Sequence, residues 1–300
     1  MKVMHDGRSV TVEVTTDGSG LVSHAGSALL GQVADKVGLT SALSLQLAGL
    51  KQRRRGHDPG NVIRDLAVML ADGGECVSDL GGQRDQDALF GPVASNSTAF
   101  RVVDRVASTP GLLDAVRAAH ARARARFWEL DGAPERLTID VDATLITAHS
   151  EKEKAVRRVR LVGAQAQLFP NWRHYAALTN RTEILAVVEA SHRDHANIEL
   201  EIRDLVDQAL AHAPSGQFNA NAAWTVIAAI AHNLLRWIEL LRLPDTTPRR
   251  AHTHRRRLLQ MPGRLTCHAR QITLHLPARW PWKADWLAAL TRIRGLAALT

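Results

Sequence analysis

The stretch that most restricts the fold runs from Leu137 to Glu153, Leu-Thr-Ile-Asp-Val-Asp-Ala-Thr-Leu-Ile-Thr-Ala-His-Ser-Glu-Lys-Glu. Its first residues alternate: Leu137, Ile139 and Val141 fall on one face and Thr138, Asp140 and Asp142 on the other, the period of a β-strand. Two carboxylates on one strand face, among apolar neighbours, need compensation, because a buried unpaired charge is costly or is neutralised by a shifted pKa. Two arrangements provide it. Either Asp140 and Asp142 end the strand at the surface or cap the next element, or they hold a divalent cation.

What precedes this strand reads as mainly helical. Ser9 to Thr15 alternates like a short strand, and Asp17-Gly-Ser-Gly20 breaks it. Leu21 to about Leu50 takes helical spacing, with Gly31, Gly38 and Gly49 as ends or kinks. Lys51-Gln-Arg-Arg-Arg55 and His57-Asp-Pro-Gly60 form a basic joint rich in breakers, which reads as a solvated loop before it reads as a DNA contact. Asn61 is placed to cap a helix through Leu70. Ser95-Asn-Ser-Thr98 is a stronger cap cluster, after which Phe100, Val103 and Val106 or Ala107 recur on one face. Arg101 and Arg105 lie four apart on another face, where they can serve a phosphate backbone or simply form an outer polar surface. Leu112 to Leu130 continues helical, and Arg122, Arg124 and Arg126 fan around it as solvated charge.

Beyond the strand, Ser191 to Leu205 has helical spacing, with His192, His195 and Glu199 sharing one face. That face is a hydrated surface, a carboxylate donor to a hard cation, or a transition-metal site of two imidazoles and a carboxylate. Trp224, Ile227, Ile230, Ala231 and Leu234 recur at helical spacing, which makes Trp224 a core residue before a base-stacking one. The densest basic run, Arg249, Arg250, Arg255, Arg256 and Arg257 with His252 and His254, suits a flexible arm along phosphates. A closing strand pair is expected at Pro262–Thr266 and Gln271–Leu276, and a final helix follows Trp280, Trp282 and Trp286 to about Leu299.

A net charge of +8 suits a polyanionic partner such as DNA or RNA, or an anionic membrane surface. Cys76 and Cys267 stand far apart, which argues against a disulfide framework or a Cys-type zinc site. The N-terminus lacks the apolar core of a signal peptide, and no apolar run is long enough to span a membrane, so the expected setting is the cytoplasm.

The run Ile139 to Glu153 resembles the first catalytic motif of bacterial insertion-sequence transposases of the DDE type. Leu70-Ala-Asp-Gly-Gly-Glu-Cys76 and Leu89-Phe-Gly-Pro-Val-Ala-Ser95 are similar to the N-terminal region of the same group, and Pro214 to Trp224 with Ala231 to Trp237 resembles its helix pair beside the catalytic sheet. The resemblance implies an α/β fold with a ribonuclease-H-like core flanked by helices, in three parts: residues 1–133 mainly helical for DNA binding or dimerisation, 134–243 the core, and 244–300 a basic extension packed on it. It places metal on Asp142, with Asp140 beside it, and on Glu199. The implied ion is Mg²⁺ or Mn²⁺ and the implied partner double-stranded DNA at the terminal inverted repeats of the element, bound by a nucleoid-associated homodimer or by a pair formed with intact transposase.

The chain departs from that pattern in two places. In the family a long segment carrying the second catalytic Asp separates Ser-Glu-Lys-Glu from the strand that resembles Val156-Arg-Arg-Val-Arg160. Here the two are joined almost directly, and between Glu153 and Glu183 there is neither Asp nor Glu. Near Glu199, His192 stands where Tyr is usual, His195 where Arg is usual and Val206 where Lys is usual, so the phosphate anchors are weakened. The expectation is a transposase by descent whose strand cleavage is impaired and whose metal binding is weakened, or a non-catalytic remnant that represses transposition.

Overall fold

The computed structural model describes residues 2–5, 8–11, 18–51, 53–132, 202–206, 209–211, 213–242, 250–269 and 271–297. Apolar spacing builds most of this part as helix. Leu29, Leu30, Val33 and Ala34 bury one face of α1 (Ala28–Lys36), and Leu39 and Leu43 bury that of α2 (Leu39–Gln46). The third helix, α3 (Pro59–Asp72), is buried along nearly its whole length, from Pro59 to Ala71 with only Asn61 and Arg64 outside the buried set. Two short turns, α4 (Gly81–Arg84) and α5 (Asp87–Phe90), lead to α6 (Asn96–Ser108) and α7 (Leu112–Asp131).

The 25-residue α8 (Phe218–Arg242) is the post around which these helices gather. It packs against α1, α3, α6, α7 and the C-terminal α10 (Lys283–Gly295), so one apolar core joins elements from before residue 133 with elements from after residue 217. Trp224, Ile227, Ile230, Ala231 and Leu234 are buried as their spacing requires. The Trp224 indole Nε1 donates to the Ala209 carbonyl at 2.8 Å, which satisfies its one polar atom inside the core. On α7 the Phe127 ring stacks on Trp237 at 5.4 Å between centroids.

The strands are few. A hairpin pairs β1 (Lys2–His5) with β2 (Arg8–Thr11), in register Val3 to Val10. A three-stranded antiparallel sheet in the order β3-β4-β5 pairs β3 (Leu21–Val22) with β4 (Gly263–His268) and β4 with β5 (Gln271–His275). The closing pair expected near the C-terminus is therefore present, and the N-terminal segment is sewn to its edge.

Several expectations are corrected. The N-cap of α3 is Asp58, whose carboxylate accepts from the Gly60 and Asn61 N–H groups at 2.8 and 3.1 Å, and Pro59 takes the first helical position; the better cap wins over Asn61. Val103 and Val106 lie on the buried stripe of α6 as expected, but its third member is Ala99, and Phe100 is 64 % exposed. Ser95 does cap α6, accepting from the Thr98 N–H. The last helix ends at Gly295. The described residues are mostly helical with small antiparallel sheets, and the central strand at 137–142 lies outside them.

Candidate nucleic-acid interface

Of the residues singled out for chemistry, Asp140, Asp142, His192, His195, Glu199 and Arg249 lie outside the described residues. Among the described residues no group of three His, Cys, Asp or Glu side chains could hold a metal ion. What the structure does place is the basic machinery.

Arg101 and Arg105 come one turn apart on α6 because Ser95 starts that helix. Arg101 is laid along its own first turn, with Nε donating to the Ser97 carbonyl at 3.1 Å and Nη2 to Thr98 Oγ1 at 3.2 Å. Opposite stands the loop from Lys51 to His57. Its far end is pinned by Asp58, which besides capping α3 accepts from the Ser44 hydroxyl at 2.7 Å. Its position also depends on Gly60, where a Cβ would lie 2.2 Å from the Ser44 nitrogen, so that α2 and α3 cross in near backbone contact.

Loop and helix enclose a groove of about 280 Å³ lined by Lys51, Arg53, His57, Arg101 and Arg105, with no carboxylate among its lining residues. Five basic side chains converging on one groove produce a local positive potential, which attracts phosphate oxygens and raises encounter rates with a polyanion. The structure thus brings together two features that lie apart in the sequence, the basic joint and the α6 arginines. Lys51, Arg53 and His57 read along the chain as solvated charge; nothing in their spacing announced that α6 would face them.

The C-terminal arginines divide among different tasks. Residues 250–259 are a packed turn of helix, α9 (Ala251–His254), continued by a wider turn from Arg255 to Leu259 in which the Gln260 N–H reaches the Arg255 carbonyl at 2.8 Å. The flexible arm is corrected to that extent. Arg250 pairs with the buried Asp204 at 3.2 Å, and Asp204 also accepts from the Ala251 N–H, capping the turn. Arg255 is an internal staple. The chain leaves α3 through a Schellman turn, with the Gly74 N–H on the Met69 carbonyl, the Gly73 N–H on the Leu70 carbonyl, and Gly73 at φ 111°. Arg255 Nε and Nη2 then donate to the Ala71 and Leu70 carbonyls at 2.8 and 3.1 Å. Burial pulls its guanidinium below the usual arginine range, against the pull of Asp72, Asp204 and Glu75. Arg257 lies over the Trp282 ring, 5.3 Å from its centroid, and Arg256 is left exposed.

The Leu-Ala-Asp-Gly-Gly segment noted for its resemblance is therefore the C-terminal stop of α3, and the chain's C-terminal part docks on it. No helix among the described residues is long and apolar enough to cross a membrane. No curated protein and no solved structure matches the chain. A family model described as transposase DDE domain group 1 matches it in two pieces, residues 4–159 and 159–298, which meet at Val159. That match spans nearly all of the sequence, and the chain belongs to the transposase DDE domain group 1 family.

Proposed function

We propose that the chain is an insertion-sequence transposase that binds double-stranded DNA at its element ends and is severely impaired in cutting it. The observation that carries the impairment is the junction. The family match is in two pieces meeting at Val159, and between Glu153 and Glu183 the chain offers no carboxylate. Asp142 and Glu199 would hold a Mg²⁺ or Mn²⁺ ion, with Asp140 beside Asp142, and a third carboxylate at the family's second position is missing. A bound divalent ion supplies the charge that activates the attacking oxygen and steadies the leaving one. Hard cations need several oxygen ligands, and a displacement of about 1 Å at the reacting atoms costs on the order of a hundredfold in rate.

DNA engagement does not depend on those carboxylates. The groove of Lys51, Arg53, His57, Arg101 and Arg105 is assigned to backbone phosphates, with the exposed Arg256 on the C-terminal segment as a further contact. His192 and His195 are proposed to add contacts nearer the reacting phosphate, and Arg249 further along the DNA backbone with Arg256. A second reading, favoured by this carboxylate-free groove, is a DNA-binding remnant that occupies the element ends, or pairs with intact transposase, and represses transposition.

Incubating the protein with its own element ends and Mg²⁺ or Mn²⁺ tests the proposal. Binding of the ends without efficient nicking is expected; efficient nicking would overturn the impairment. Repression of an intact element supplied in trans would select the second reading.

A further inference from the structure

A second cleft lies away from the basic groove, between the end of α3, the short helices α4 and α5, and the segment from His252 to Gln260. Its volume is about 610 Å³, inside the range of roughly 300–1,000 Å³ usual for small-molecule sites. Its most telling residue is Gln83. The side chain lines the cleft, is only 5 % exposed, and neither its amide oxygen nor its amide nitrogen has a hydrogen-bond partner. One turn on, Gln86 donates Nε2 to the Gly82 carbonyl at 2.7 Å, but its buried Oε1 is also unpartnered. Buried amides left unsatisfied are destabilising, and native proteins keep them where something else completes them.

The remaining lining says what that is. A primary amide presents a donor and an acceptor in one plane, the pattern that meets a nucleobase edge, and adenine most directly through its exocyclic amine and ring nitrogen. Phe90 supplies an apolar face on the same side of the cleft. At the other wall stand Arg256, exposed at the rim, and His252, groups suited to a phosphate. Of the two carboxylates facing the cleft, Asp79 is fully engaged and Asp72 is engaged through one oxygen, its buried Oδ1 being unpartnered beside the Gln83 and Gln86 amides at the wall away from Arg256. Asp72 Oδ2 lies 2.6 Å from His24 Nδ1, and Arg255 lies on the adjoining helix end; Asp79 accepts from the Glu75 and Cys76 N–H groups at 2.8 and 3.0 Å.

We propose that this cleft binds a single nucleotide, its base edge on the Gln83 and Gln86 amides beside Phe90 and its phosphate on Arg256 and His252. The same chemistry is carried by a free nucleotide and by an unpaired nucleotide in a DNA strand. The inference stands on the cleft itself and not on the strand-cleavage reading, so absence of nicking leaves it untouched.

Two variants test it. Gly82 lines the cleft, and a Cβ there would meet nothing within 4 Å, so Gly82→Met fills the space without disturbing the fold. Gln83→Leu removes the unpartnered amide; because that amide has no partner in the free protein, the variant should melt at the same or a higher temperature while losing the ligand. Binding of dAMP, of a short single-stranded oligonucleotide containing adenine, and of inorganic phosphate is measured by calorimetry on the full chain. Saturable binding of dAMP identifies the free nucleotide as the source, and binding of the oligonucleotide alone identifies a strand. In either case both variants should weaken it by roughly tenfold or more. Binding of neither nucleotide probe, binding that both variants leave unchanged, phosphate binding as tight as the nucleotide's, or a Gln83→Leu protein that melts well below the parent would each overturn the proposal.

Discussion

Acid should loosen the packing of α7 on α8 through one side chain, His120. It is buried at 6 % exposure, its ring meets Trp237 edge-on at 6.5 Å, and its Nε2 lies 2.7 Å from Asn233 Nδ2, so the amide donates to an unprotonated ring nitrogen. Burial, with Arg124 one turn along, pushes its pKa down to about 4 from 6.5. A histidine with a depressed folded pKa is protonated first in the unfolded chain, so stability is full above about pH 6.5 and falls as the pH drops toward 4. Between neutral pH and about pH 5 this coupling removes on the order of 2 kcal/mol, or about 1 M in urea midpoint for an m-value of roughly 2 kcal/mol/M.

His24 works in the opposite sense. Its hydrogen bond to Asp72 raises its pKa above 6.5, against the lowering effect of burial, so its contribution is full below 6.5 and fades as the pH rises through the folded value. A single pH profile therefore mixes the two, and the comparison that isolates His120 is with His120→Gln, which accepts from Asn233 and does not titrate. Urea unfolding of both proteins at neutral pH and at about pH 5 should show the gap between them shift by about 2 kcal/mol in favour of the variant as the pH falls. Parallel profiles would refute the reasoning, since they would mean that His120 carries the same proton affinity folded and unfolded.

Other outcomes follow from the same architecture. Replacing Arg101 and Arg105 together by alanine should weaken DNA binding for every sequence alike and lower the slope of log affinity against log salt by about 0.9 for each phosphate no longer neutralised, measured by filter binding across a salt series. Arg255→Met leaves the Leu70 and Ala71 carbonyls without their guanidinium donor and should cost about 2 kcal/mol in denaturant unfolding; an unchanged midpoint would show the staple to be idle. Trp224→Ala empties a fully buried site and strands the Ala209 carbonyl, an expected loss of about 3–5 kcal/mol in the same assay.

Much of the helical part was legible along the chain because its signals are local. Ser95 caps α6 through atoms three residues away, and the face of α8 follows from the period of its own apolar residues. Even local signals compete, as where Asp58-Pro59 displaced Asn61 as the start of α3. Phe100 shows another limit: large and apolar, it fits a helical repeat, yet the smaller Ala99 sits on the side that α8 and α3 cover. The two-aspartate run at Asp140 and Asp142 and Glu199 were the most informative residues for ancestry, and the family match bears out that ancestry while their geometry lies outside the described residues.

Composition, periodicity and short motifs were enough for a basic chain of transposase descent with helical N-terminal and C-terminal regions and a C-terminal strand pair, because each of those properties is carried by neighbours in sequence; the ribonuclease-H-like core that the resemblance implied falls mostly on residues outside the described ones. Which charges work together was settled by the packing of distant segments. Arg255 and Arg256 are adjacent, but one is turned inward onto the carbonyls of α3 and the other outward at the rim of a cleft. Lys51 and Arg105 share a groove because Gly60 lets two helices cross closely, a condition that no spacing along the chain records. The unpartnered amide of Gln83 belongs to the same class: it is a property of everything that surrounds the residue, and so exists only once the chain has folded.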